Sequence, residues 1–153
     1  MKKKFIDYYM RIAELTSELS YATRLKVGAV IVKENQILGT GYNGMPAGWD
    51  NNCELLISEV VDIEGKTIEP ERVVTRREVL HAETNALMKV ATSTESSEGA
   101  TLFCTHAPCI ECAKLIYQAG IKTVYYKETY RDDSGIKFLQ QGEINVHQYT
   151  NSV

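Results

Sequence analysis

Apolar side chains recur every three or four positions at Phe5, Tyr8, Tyr9, Ile12, Leu15 and Leu19. That spacing predicts an amphipathic helix over about residues 5–20, with its apolar stripe laid on a sheet. Two β-branched runs follow, Val27 to Val32 and Ile37 to Tyr42, separated by the polar Lys33-Glu34-Asn35-Gln36, and together they predict an antiparallel hairpin. Glycines at 39, 41, 44 and 48 then interrupt the pattern, and from Asn43 to about Arg77 the chain reads as irregular and polar. A connection of that length is expected to be a functional loop and not a passive linker.

Beyond it the pattern alternates between periods. Helices are predicted at about 81–92, 109–119 and 134–141, and strands at 101–105, 122–126 and 144–148. Helices between strands imply an α/β fold whose sheet is parallel in this half, with helices packed on its faces. Thr92 to Gly99, rich in Ser, Thr and Glu, reads as an exposed turn. With 153 residues, 44% of them hydrophobic and 24% charged, the chain is expected to form one compact domain over residues 1–153.

Charge narrows the partners. A formal net charge of -3 gives no overall positive field toward a polyanion, so nucleic acid is not expected as a partner, whereas a small anionic substrate needs only a local basic pocket. The start Met1-Lys2-Lys3-Lys4 resembles a signal peptide, but Asp7, Arg11, Glu14 and Glu18 interrupt the apolar stretch one would need. No run approaches the roughly 20 apolar residues of a membrane helix, so a cytoplasmic protein with no membrane partner is the expectation. Four cysteines in that compartment point to thiols or metal ligands before disulfides.

The sharpest chemical signal is His81-Ala82-Glu83 followed, 25 residues after Glu83, by Pro108-Cys109-Ile110-Glu111-Cys112. H-x-E with P-C-x-x-C is the established signature of zinc nucleobase deaminases. Physical reasoning supports it independently. Cys109 and Cys112 are three apart at a predicted helix start, which puts both sulfurs on one face within reach of one metal. One imidazole and two thiolates leave the fourth tetrahedral position open, as catalytic zinc requires. His81 opens another helix, so both ligand groups are expected at helix N-termini, whose partial positive charge favours thiolates.

Glu83 is the only carboxylate tied to the motif by spacing, which makes it the candidate proton shuttle. Zinc lowers the pKa of a bound water from about 15.7 to about 7, worth roughly 12 kcal/mol, which a lone glutamate could not supply. Read singly, the parts are weak: Cys-x-x-Cys also suits a redox pair or half of a structural zinc site. Cys104 lies in an apolar strand and reads as a small buried hydrophobe, and His106 as a loop residue near the site, not a ligand. Cys53 and His147 suggest no second metal, so one zinc per chain is expected.

Five segments carry a family resemblance: Lys26 to Val32, Gly41-Tyr42-Asn43-Gly44-Met45-Pro46, His81 to Ala86, Pro108 to Lys114, and Gln118 to Lys122. Through them the chain resembles the deoxycytidylate deaminases of the cytidine-deaminase-like zinc fold, from about residue 5 to 148 apart from the central loop. The resemblance implies a three-layer α/β/α fold with a mixed five-stranded sheet and helices on both faces. It implies hydrolysis of dCMP to dUMP and ammonia, supplying dUMP for thymidylate synthesis, in a homo-hexamer. It also implies substrate contacts at Arg24, Lys26, Asn43, Ala82, Tyr130 and Arg131, with Arg24 and Lys26 near the 5′-phosphate and Asn43 at the deoxyribose. Activation by dCTP and inhibition by dTTP, each with Mg²⁺, would follow at Asn43, Gly44, Met45, Gly48 and Glu54. Rival readings are a deaminase of cytidine or deoxycytidine, of a riboflavin-pathway pyrimidine, or of tRNA adenosine, and a zinc-stabilised binding module without chemistry.

Overall fold

The computed structural model describes residues 1–58, 60–68 and 71–150. Helix α1 (Lys3–Ser17) leads into the hairpin β1 (Gly28–Lys33) and β2 (Gln36–Tyr42). Glu34 and Asn35 both take positive φ, 50° and 62°, which is the two-residue turn whose twist matches that of paired strands. Strands β3 (Glu54–Ser58), β4 (Val61–Ile63), β5 (Lys66–Ile68) and β6 (Glu71–Thr75) follow. Then come α2 (Ala82–Ala91), β7 (Thr101–His106), α3 (Ile110–Gln118), β8 (Thr123–Glu128), α4 (Ser134–Gln141) and β9 (Asn145–Gln148).

The main sheet has the order β2-β1-β7-β8-β9. β1 pairs antiparallel with β2 and with β7, whereas β7–β8 and β8–β9 are parallel. This is the expected mixed five-stranded sheet. Side-chain alternation sorts the core into two layers. Val30, Val32 and Phe103 face α1, packing on Tyr9, Met10 and Ala13. Ala29, Ile31, Leu102, Cys104 and Val124 point the other way, into a larger core shared with α2, α3 and α4. One helix therefore covers one face and three cover the other.

Two expectations need correction. Helix α1 is rotated from its predicted face: Tyr9, Met10, Ala13 and Thr16 are buried, whereas Tyr8, Leu15 and Leu19 are more than half exposed. The cause is close packing, since a Cβ at Gly28 would lie 2.0 Å from the Ala13 carbonyl oxygen. Glycine at position 28 permits that close approach of the helix backbone, and the face of α1 laid on the sheet there carries Ala13 and not Leu15. Second, the segment read as irregular holds four strands. β3 pairs antiparallel with β6 from Glu54↔Thr75 to Ser58↔Glu71, and β4 pairs with β5, forming a two-part β-arm. Leu55, Leu56 and Val73 on it stay exposed, so burial never imposed the alternation that marks a strand in sequence.

Candidate active site

Both metal-ligand groups sit at helix starts. His81 is the N-cap of α2 and Cys109 the N-cap of α3, with Cys112 one turn along. Local packing fixes both helices. A Cβ at Gly41 of β2 would fall 2.1 Å from the Ala82 carbonyl oxygen, so the bare glycine lets the first turn of α2 press onto the sheet. A Cβ at Gly135 would fall 2.1 Å from the Pro108 carbonyl oxygen, so α4 buttresses the segment carrying Cys109 just as closely.

The donor atoms converge. His81 Nδ1 lies 3.6 Å from Cys109 Sγ and 3.4 Å from Cys112 Sγ, and the three ligand atoms all fall within 4.8 Å of one another. Zinc bonds of about 2.1 Å to nitrogen and about 2.3 Å to sulfur, set at the tetrahedral angle, put N and S about 3.6 Å apart. The triad fits a tetrahedral zinc with one corner left for another ligand. Thr84 Oγ1, 3.7 Å from Cys112 Sγ, adds a hydroxyl beside one sulfur. The Cys109 thiol is held far below its usual range by the Cys112 and His81 hydrogen bonds. The Cys112 thiol is pushed up by its bond to Cys109 and by burial.

Glu83, only 4% exposed, sits in the first turn of α2 beside the triad. Burial pushes its carboxyl up to about 7, against the opposing charge of His81. A carboxyl so placed can hold and release a proton near neutrality.

His81, Ala82, Glu83 and Cys109 open into a cavity of about 360 Å³ at the carboxyl end of β7. Ligands of α/β sheets commonly bind at such strand ends. Of the expected substrate residues, Arg24, Asn43, Ala82 and Tyr130 line this cavity, whereas Lys26 and Arg131 are exposed and do not. Asn43 works on the backbone. Its Oδ1 accepts from the Val27 N–H at 2.8 Å and its Nδ2 donates to the Leu25 carbonyl at 2.8 Å, which leaves one lone pair and one N–H for a ligand. His106 also lines the cavity, its Nδ1 3.0 Å from Thr105 Oγ1, and burial lowers its pKa. Val74 and Thr75 were missed in sequence, because only the pairing of β3 with β6 carries them to the cavity.

The residues expected to bind effectors divide. Asn43 and Glu54 line the first cavity, whereas Gly44 and Met45 line a second one of about 480 Å³ on the flank of α2, with Pro46, Met88 and Lys89. Gly48, exposed and at φ +83°, lines neither. Cys104 is fully buried, as expected, and Cys53 packs with Ala22 and Val79. No helix among the described residues is long and apolar enough to cross a membrane.

A His/Cys/Cys group able to hold zinc, with a buried carboxylate beside it, on this three-layer fold, is that of a zinc-dependent hydrolytic deaminase. The sequence model of the cytidine and deoxycytidylate deaminase zinc-binding region matches residues 3–128. Deoxycytidylate deaminase of Enterobacteria phage T4 is 37% identical, over 79% of this chain and 76% of that protein. The human deoxycytidylate deaminase is 39% identical, over 84% and 67%. The crystal structure of dCMP deaminase from the cyanophage S-TIM5 in complex with dCMP and dUMP superposes with a TM-score of 0.82 at 44% identity, covering 97% of this chain and 99% of that one. The chain belongs to the cytidine and deoxycytidylate deaminase family.

Proposed function

We propose that the chain hydrolyses dCMP to dUMP and ammonia. The observation that carries this reading is that two residues of the metal triad, His81 and Cys109, share one cavity with the carboxyl of Glu83 and the cation Arg24. A base with a phosphate attached needs both. Similarity to the cyanophage enzyme, whose structure holds dCMP and dUMP, supports the same substrate.

His81, Cys109 and Cys112 would hold zinc, which when bound supplies Lewis acidity and brings a water near deprotonation at neutral pH. Glu83 accepts the proton that this water loses as its oxygen adds to C4 of cytosine. The same carboxyl delivers that proton to N3. It then collects the remaining proton of the new hydroxyl and hands it to the amino nitrogen, so that the C4–N bond breaks, ammonia departs and a carbonyl is left. Burial suits Glu83 to this cycle, because a carboxyl poised near neutrality gives and takes protons with little penalty. Asn43 offers its spare N–H and lone pair to the deoxyribose, and Arg24 its guanidinium to the 5′-phosphate. Tyr130, half exposed at the rim, covers the nucleotide.

The second cavity supports effector binding by dCTP or dTTP. Its volume suits a nucleotide, and Gly44 in its wall is bridged to Leu80, the neighbour of His81, by N–H···O bonds of 3.0 and 2.8 Å. Lys89 is the one cation lining it among the described residues, so a triphosphate there would draw its countercharge from Mg²⁺ or a second copy of the chain.

An ultraviolet assay on dCMP, CMP, deoxycytidine and dCTP, with zinc and ammonia measured on the same sample, tests the reading. Turnover of dCMP with stoichiometric ammonia and about one zinc per chain is expected. Faster turnover of deoxycytidine than of dCMP would overturn the nucleotide assignment, and zinc without turnover of any of the four would make the chain a binding module.

A further inference from the structure

The base of the β-arm grips Arg24 twice. Glu54 is 9% exposed, and its Oε1 accepts from the backbone N–H of Thr23 at 2.8 Å and of Arg24 at 3.2 Å. Its cross-strand partner Thr75 accepts at Oγ1 from Arg24 Nη1 at 3.1 Å. The cross-strand pair at the foot of β3 and β6 therefore holds one residue by its backbone and by its side chain.

Glu54, Thr75 and Arg24 all line the cavity onto which His81, Cys109 and Glu83 open. Among the described residues no carboxylate lies within ion-pair distance of the Arg24 guanidinium, so its charge is free for a ligand. A bare carboxylate beside a phosphate would repel it. Glu54 instead directs one oxygen at two backbone donors, where its charge is partly satisfied. Residues 18–27 lie outside helix and strand, and although Ala22 and Leu25 on either side are held by packing and by Asn43, among the described residues the amides of Thr23 and Arg24 have Glu54 as their only acceptor.

We propose that Glu54 is a positioning residue: it anchors the Thr23–Arg24 backbone to the β-arm so that Arg24, steadied by Thr75, presents its guanidinium to the nucleotide 5′-phosphate. This rests on the dCMP reading for its ligand, but the anchor itself is a property of the free protein. It gives the arm a role in substrate binding and moves Glu54 from effector recognition to the substrate side.

Two measurements test it together. Amide hydrogen exchange at Thr23 and Arg24 reads the anchor without nucleotide: Glu54→Ala is expected to accelerate exchange at both amides, and Glu54→Gln, whose carbonyl oxygen still accepts, to restore much of the protection. Steady-state kinetics read its purpose. Glu54→Ala is expected to raise KM for dCMP about tenfold with little change in kcat or zinc content, Glu54→Gln to recover most of that loss, and Glu54→Ala to add little in an Arg24→Ala background. Unchanged exchange in Glu54→Ala overturns the anchor. A full additional KM loss in the Arg24→Ala background overturns the positioning role, since Glu54 would then touch the nucleotide itself. Loss of zinc and kcat along with KM overturns it too, as general collapse. If the wild type fails on dCMP while Glu54→Ala still deprotects the two amides, the dCMP reading and the phosphate half of the proposal fall and the anchor stands.

Discussion

At the metal triad it is Nδ1 of His81, and not Nε2, that meets the two sulfurs, at 3.6 and 3.4 Å. Removing any of the three donors leaves too few for a catalytic site, so Cys112→Ala is expected to purify with well under one zinc per chain by metal analysis. Thr84→Val is a subtler test. It deletes the hydroxyl 3.7 Å from Cys112 Sγ and is expected to weaken zinc binding about 10- to 100-fold in chelator competition, with the fold retained. Glu83→Gln keeps shape and zinc but can no longer carry a proton. Its kcat on dCMP is expected to fall by about 10²–10⁴-fold at unchanged zinc content. His81, Glu83, Cys109 and Cys112 were legible in sequence because each pair is held by a helix start, where spacing maps directly onto distance. Thr75 was not, and Glu54 was named only as an effector contact through the resemblance, because a pairing of strands 21 positions apart sets the two side by side against Arg24, and no local pattern records that.

Elements that bury one clear face announced themselves, and those that do not were lost. The hairpin β1–β2 and the alternation from α2 to β9 were readable because each strand or helix contributes to one of two apolar clusters. The strands of the β-arm escaped because their apolar side chains remain in solvent. The face of α1 was misjudged for another reason: periodicity finds the greasiest stripe, whereas the sheet selects the stripe that lets two backbones approach. Gly41 shows the same demand at the site. Gly41→Ala would set a methyl carbon 2.1 Å from the Ala82 carbonyl oxygen, and is expected to cost about 1–3 kcal/mol as α2 is pushed off the sheet. Thermal unfolding checks it, at about 2–4 °C of Tm per kcal/mol for a chain of this size.

Across the whole molecule, α2 and α3 are joined through their N-terminal residues by the metal triad, so zinc should act as a fastener as well as a reactant. Chelation is expected to abolish deamination and lower Tm together, with both restored by added zinc. Helix α2 also borders both cavities, with His81, Ala82 and Glu83 in one and Asn85, Met88 and Lys89 along the other. A ten-residue helix is a stiff rod, and this one carries the metal-binding imidazole and the proton-carrying carboxylate at its tip. If a nucleotide lodges in the second hollow as proposed, it would press on the same rod that holds these two groups in place.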